Sequence, residues 1–235
     1  VSSIPGEITE ILAPGKNREV VPRALQWPLG LGVGANGELF VADGAFGYTI
    51  PSGGKMEFAS FFFSPGSPGY MRGIARGSQA GEWLVTTGLG SIARFRPGEG
   101  TSAFLGHGFD QLMGIDANTR GAVVFAEYGT GRVHLAEGDT VREIANGLNK
   151  PMGVAVDGDT AYVAESGAGK IVKLCQGRSV EIVAEGLGCP QGLCLSGGKL
   201  YAVDTEAKAL IQIDPASGAQ TTIVSNLPVG APAGI

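Results

Sequence analysis

The sequence predicts an all-β fold, a β-propeller of four-stranded blades, on two observations. Glycines that open strands recur at Gly30, Gly73, Gly114, Gly153, Gly192 and Gly234, at spacings of 43, 41, 39, 39 and 42 residues. Each spacing holds four strand-like segments, and a period of about 40 residues with four strands per unit marks a propeller blade. The clearest unit is residues 151–166, Pro-Met-Gly-Val-Ala-Val-Asp-Gly-Asp-Thr-Ala-Tyr-Val-Ala-Glu-Ser. Its small and β-branched residues form one strand, Asp157 and Gly158 make a tight turn, and the return strand ends on a carboxylate. The same pattern recurs at residues 28–43, with Asn36 and Gly37 at the turn, and at 192–204. It recurs more loosely at 114–127 and most loosely at 73–87.

Taken in order, residues 6–12 alternate as a strand, residues 13–17 turn, and residues 18–25 form a second strand. This pair matches the second half of the later repeats, at 131–135 with 140–144, 170–174 with 179–183, and 209–213 with 220–224. The chain therefore begins halfway through a blade. Blades are expected at about 26–67, 68–108, 109–148, 149–187 and 188–227, followed by the opening of a sixth repeat at 228–235. The whole chain is read as one propeller domain, six-bladed, with a last blade that a missing segment or a second chain would complete. A five-bladed ring with an accessory hairpin is the alternative. In a closed ring the first and last strands share a blade, which removes the open sheet edges that invite aggregation.

Two blades depart from the pattern. Residues 76–81 make a longer connection in the second, after which Trp83 takes a position held elsewhere by Phe40, Val124, Tyr162 and Tyr201; packing between blades is its expected role. Phe58, Phe61, Phe62 and Phe63 crowd the outer strand of the first, so that strand is covered or forms a sticky edge.

Forty glycines and thirteen prolines suit short strands and tight turns, and 43% apolar residues suffice to fill the spaces between blades. The net charge of −5 comes without any basic run, which leaves nucleic-acid binding no electrostatic footprint. No stretch of about 18 apolar residues occurs, so no membrane-spanning helix is expected. The chain starts at Val1 with neither Met nor a charged-then-apolar leader, as processing or excision from a longer protein would leave it. Three cysteines, Cys175, Cys189 and Cys194, have no zinc spacing and are expected as small buried hydrophobes. Secreted and cytoplasmic locations are both compatible with them.

Two sets of equivalent positions could carry chemistry. Residues that precede an opening glycine lie near the mouth of a propeller's channel: Leu29, Arg72, Met113, Met152, Gln191 and Ala233. The second strand of each blade ends at Asp43, Thr87, Glu127, Glu165 and Asp204. A ring of four acids, Asp43, Glu127, Glu165 and Asp204, could hold a divalent cation. The stronger reading is structural: a carboxylate before a glycine-rich turn accepts backbone N–H bonds and holds the loop that follows.

Pro-x-Gly-Val-Ala-Val-Asp, then Tyr-Val-Ala-Glu or Asp, then Lys-Ile-Val-Lys-Leu resembles NHL repeats. The repeat also resembles those of streptogramin lyases and gluconolactonase-like proteins, over essentially the whole chain. Gluconolactonase-like hydrolases imply a divalent metal in the channel, held by a Glu of the first blade and by Asn and Asp before opening glycines. Leu29, Arg72, Met113, Met152 and Gln191 do not match those ligands. Lyase-like chemistry implies a histidine and a glutamate near the channel; His107, in the link between two blades, with Glu127 is the pair on offer, since His134 falls within a third strand, away from the axis. Amidating lyases of the NHL class imply several histidine ligands, which two histidines cannot supply. What remains is a largely apolar mouth with one guanidinium: Met113 and Met152 beside Arg72 and Gln191, and Tyr128 next to Glu127. That set suits an amphipathic anionic small molecule or a protein partner's loop. The expectation is a binding module acting through its channel face, with a lactonase-like or lyase-like enzyme as the alternative and a divalent cation not favoured.

Overall fold

The computed structural model describes Ser2 and residues 6–63, 68–175 and 180–229. Among the described residues every regular element is a strand, and none is a helix that could cross a membrane. The strands form five four-stranded antiparallel sheets and one two-stranded sheet. The two-stranded sheet pairs β1 (Ile8–Ala13) with β2 (Lys16–Val21). Blade one holds β3 (Pro28–Val33), β4 (Leu39–Asp43), β5 (Phe46–Ile50) and β6 (Glu57–Phe61). Blade two holds β7 (Met71–Arg76), β8 (Trp83–Thr87), β9 (Ser91–Arg96) and β10 (Gly100–His107). Blade three holds β11 (Leu112–Ala117), β12 (Val123–Glu127), β13 (Arg132–Glu137) and β14 (Thr140–Ala145). Blade four holds β15 (Pro151–Asp157), β16 (Thr160–Glu165), β17 (Lys170–Cys175) and β18 (Glu181–Ala184). Blade five holds β19 (Pro190–Ser196), β20 (Lys199–Asp204), β21 (Ala209–Ile213) and β22 (Gln220–Val224).

Each blade is a meander in chain order, because tight turns join neighbouring antiparallel strands. Gly37 at φ 79° and Gly158 at φ 58° take the left-handed conformation that those turns need. Ser179, expected to start an outer strand, and the opening of a sixth repeat with Ala233 and Gly234 lie outside the described residues. The described architecture is thus five complete blades and a separate hairpin.

No single core exists; apolar clusters lie between consecutive blades. Phe40, Ala42 and Phe62 of blade one meet Ile74, Trp83, Val85 and Phe95 of blade two. Trp83 is 2% exposed and stacks on Phe40 at 5.5 Å, so its role is packing between blades. Further clusters join blade two to three, three to four, and four to five. The hairpin joins both ends of this series. Its Ile8 and Val21, with Leu25, pack on Val41 and Ile50 of blade one, while Ile11 packs on the cluster of Leu210, Leu227 and Val229 at blade five.

The phenylalanine run divides. Phe62 is fully buried, with its ring 6.4 Å from Phe40 and 6.2 Å from Phe95, whereas Phe58, Phe61 and Phe63 are exposed. The longer connection of blade two is pinned by Glu82, itself 4% exposed, whose carboxylate accepts from Arg94 Nη1 at 3.1 Å and from the Ser78 N–H at 3.1 Å. Cys194 corrects an expectation. It is exposed, and among the described residues no complete blade packs on the face of blade five that carries it; Cys175 and Cys189 are half-buried.

Candidate functional site

The innermost strand of each blade carries an irregularity at one place. Register shifts fall between Pro28 and Gly30, Met71 and Ile74, Leu112 and Ile115, Pro151 and Val154, and Pro190 and Gly192. The residue before each opening glycine sits in that shift, and a bulge of this kind re-aims a side chain. Leu29, Arg72, Met113, Met152 and Gln191 accordingly line one cavity of about 1540 Å³. Tyr128 is not among its lining residues. Ala233 lies outside the described residues.

The opening glycines explain how these strands come close enough to form a channel wall. A Cβ on Gly30 would stand 2.6 Å from the Arg72 carbonyl oxygen, on Gly73 2.4 Å from that of Met113, on Gly114 2.2 Å from that of Met152, and on Gly153 2.4 Å from that of Gln191. Real Cβ atoms do not approach oxygen so closely, so any side chain here would force the strands apart. Thr86, fully buried, ties two of them together: its hydroxyl oxygen accepts the Gly73 N–H at 2.8 Å and donates to the Met113 carbonyl. Asp116 Oδ2 accepts the Val156 N–H at 2.8 Å, joining blade three to blade four. Burial pushes that carboxyl above its ordinary pKa, against the hydrogen bonds from Val156 and Ala117 and the charge of Arg76.

The acids at the ends of the second strands hold the links between blades. Pro28, Leu112, Pro151 and Pro190, which begin the first strands, stand opposite Asp43, Glu127, Glu165 and Asp204. Each carboxylate therefore lies beside the backbone that enters its own blade. Asp43 accepts the N–H groups of Gln26, at 3.0 Å, and Trp27; Glu127 accepts that of Asp110 at 2.8 Å, and Glu165 that of Asn149 at 2.7 Å. Asp204 accepts from Gly188 at 2.7 Å, Cys189 at 2.9 Å, Glu206 at 3.1 Å and Ala207 at 3.0 Å. The expected donors lay in the following turn; Asp204 takes backbone donors from both sides, and Glu127 is also bonded by the Thr130 side chain in the turn after it. Burial raises the Asp204 carboxyl, but its four N–H donors outweigh that and hold its pKa below the ordinary value. In blade two Thr87 replaces the acid, and its hydroxyl accepts the Ser91 N–H at 3.2 Å.

Glu127 has a histidine partner that sequence reading passed over. His134 Nε2 lies 2.8 Å from Glu127 Oε2, and the imidazole stacks on Phe125 at 5.1 Å and 17°. In register Phe125 faces His134 and Glu127 faces Arg132, so Glu127 and His134 are diagonal neighbours on adjacent strands. That spacing was the available signal. Burial raises the Glu127 carboxyl, while the Asp110 N–H and then His134 bring its pKa below the ordinary value. His107, itself exposed, ends the outer strand β10, opposite Ser91. Among the described residues no three of His, Cys, Asp and Glu are grouped so as to hold a metal ion.

No protein-family model matches the chain, and no curated protein matches it by sequence. Solved structures match its shape. A chain in the crystal structure of a nidogen/laminin complex superimposes with a TM-score of 0.83 at 18% identity, over 94% of this chain and 91% of that one. A gluconolactonase from Xanthomonas campestris gives 0.72 at 15% identity, over 97% and 82% of the two chains. A streptogramin B lyase gives 0.67 at 15% identity, over 97% and 76%. At such identities the likeness is one of fold: the chain is a β-propeller, of an architecture that serves binding proteins and enzymes alike.

Proposed function

We propose that this propeller is a binding module whose channel face takes an anionic amphipathic small molecule or the loop of a protein partner. One observation carries the reading: Leu29, Met113 and Met152 supply apolar surface to the same cavity as Arg72 and Gln191. Methionines adapt to irregular apolar shapes, and a guanidinium selects carboxylate or phosphate. Arg72 is exposed and therefore accessible to such a group. A hydrolase or lyase of the lactonase kind is the second reading, favoured by the fold likeness to a gluconolactonase and a streptogramin B lyase. His107 with Glu127 as catalytic pair and Asp43, Glu127, Glu165 and Asp204 as metal ligands belong to that reading. Tyr128 remains a candidate contact for a ligand larger than the cavity.

We further read β1–β2 as the outer half of a sixth blade. Its contacts with blade one through Ile8 and Val21 and with the blade-five cluster through Ile11 support that place in the ring.

Decanoate and the uncharged decanol test the binding reading in thermal unfolding, with Arg72→Met as control. A ligand present at about 100 times its dissociation constant adds roughly 2.7 kcal/mol, a few degrees for a domain of this size. Decanoate should raise the melting temperature more than decanol, and Arg72→Met should erase the difference. Equal shifts with both variants would sink the anion-binding reading. A shift produced by Ca²⁺, Mg²⁺, Mn²⁺ or Zn²⁺ and reversed by EDTA would put the enzyme reading ahead.

A further inference from the structure

Building on the binding reading of the channel mouth, we propose that a file of aromatic rings on blade one continues that mouth outward, and that the two together take an extended segment of a partner protein. The segment carries apolar side chains at alternate positions and a carboxylate side chain at the end that meets Arg72.

Tyr48, Phe58, Phe46, Phe61, Phe63 and Tyr70 follow one another in that order, each ring centroid 4.6–6.4 Å from the next. Tyr48 is half-buried and the other five are exposed. Phe62 turns into the core between blades one and two, so alternation aims Phe61 and Phe63 outward together. Register sets the file at the mouth end of the blade: Pro28 and Phe46 both stand opposite Asp43, and Phe61 stands opposite Phe46. A contiguous exposed aromatic surface of this kind marks an interaction site.

The file meets the channel mouth at Gly88. The Gly88 N–H donates to the Tyr70 carbonyl at 2.8 Å, and a Cβ on Gly88 would stand 3.8 Å from Arg72 Nε and 3.9 Å from Tyr70 Cβ. Tyr70, the last ring, and Arg72, which lines the cavity, therefore flank one exposed glycine. Leu89, next in the chain and 79% exposed, extends the apolar surface here, its Cδ1 3.4 Å from the Cβ position of Gly69. Arg18, Arg94, Arg96, Arg120, Arg132 and Arg142 each pair with a carboxylate, whereas among the described residues Arg72 pairs with none.

Spacing and charge identify the occupant. Side chains on one face of an extended chain recur about every 7 Å, close to the step of the file, so alternate residues of one segment can each rest on a ring. An Asp or Glu beside that run supplies the planar acceptor that a guanidinium binds in bidentate fashion. The bare surface of Gly88 lets the segment's backbone pass from Tyr70 to Arg72.

The test selects binders from a displayed library of random peptides of about twelve residues, then measures the selected sequence as a labelled synthetic peptide by fluorescence anisotropy. Selected sequences should place an Asp or Glu beside alternating apolar residues. Arg72→Met, Phe63→Ser and Gly88→Leu should each weaken binding about tenfold or more. Gly88→Leu keeps the rings and the guanidinium and blocks the way between them, since its Cβ meets nothing closer than 3.8 Å. Phe104→Ser, which removes an exposed ring outside the file, should change nothing. Replacing the peptide's acid by its amide should weaken binding to the parent but not to Arg72→Met. A selection without this pattern, or binding that ignores Phe63→Ser and Gly88→Leu, overturns the file, while the mouth reading stands provided decanoate still outdoes decanol through Arg72. Binding that ignores Arg72→Met, with equal shifts from decanoate and decanol, brings down both. A dimer abolished by Phe58→Ser would make a second copy the occupant, and vesicle binding lost in that variant would make it a lipid surface; either overturns the proposal. So does a melting temperature that falls by more than about 5 °C in Phe63→Ser, since the chain itself would then cover the file.

Discussion

The carbonyl oxygen of Gln191 lies 2.4 Å from where a Cβ on Gly153 would stand. The contact joins blade four to blade five through backbone alone, and backbone cannot swing aside as a long side chain can. The opening glycines are therefore spacers that set how tightly the inner strands close around the channel. Gly153→Ala or Gly114→Ala must push two blades apart, at the overpacking cost of about 1–3 kcal/mol or more. Urea unfolding of each variant should show the loss as a lower midpoint at unchanged slope. Midpoints equal to that of the parent would mean that the blades are not held at this spacing.

Glu127 and His134 make a buried pair whose pH response has a definite sign. The Glu127 carboxyl titrates below its ordinary value of 4.5 when folded, so its contribution is fully present above that pH and is lost as pH falls through the depressed value. Glu127→Ala leaves the Asp110 N–H and the His134 ring without their acceptor, at about 1–3 kcal/mol near neutral pH. Denaturant titrations at a series of pH values should show parent and variant converging in acid. A constant gap down to low pH would assign the loss to packing instead.

The four phenylalanines of residues 58–63 should separate sharply under truncation. Phe62→Ala removes a fully buried ring between Phe40 and Phe95 and should cost about 3–5 kcal/mol. Phe58→Ala removes a ring that is 64% exposed and should stay within roughly 0.5 kcal/mol, while lowering the binding of a hydrophobic dye. A large loss from Phe58→Ala would show that this rim is covered in solution.

These residues also mark what was legible in the sequence. The blade repeat was plain because its glycines answer a backbone constraint that recurs in each unit. The inward aim of Leu29, Arg72, Met113, Met152 and Gln191 followed from the same repeat, which the bulges then enforce. Which phenylalanine is buried was not legible, since Phe62 follows β6 and owes its burial to blade two rather than to strand alternation. Cys194 was misread for a related reason. Alternation aims it at a neighbour, and only the structure shows that among the described residues no complete blade stands there. The pairing of Glu127 with His134 was hidden because a diagonal contact depends on the register between β12 and β13, which no single segment specifies.

Asp204 gives the sharpest test of what the strand-end acids are for. A carboxylate kept for a cation is strained when the cation is absent, because like charges gather without relief, so neutralising it stabilises the metal-free protein. A carboxylate that caps backbone N–H groups does the reverse. Asp204 is 1% exposed and accepts from four backbone donors on both sides of its blade. In EDTA, Asp204→Ala should therefore destabilise by about 1–3 kcal/mol, with Asp204→Asn losing less because one oxygen still accepts. The folded pKa lies below the ordinary 3.8, so the deficit should be full above that value and shrink as pH falls through the depressed one. Calorimetry of the three proteins in EDTA decides the matter: a variant more stable than the parent would identify Asp204 as a cation ligand and move the enzyme reading forward, whereas the expected loss assigns it to the hinge between blades four and five.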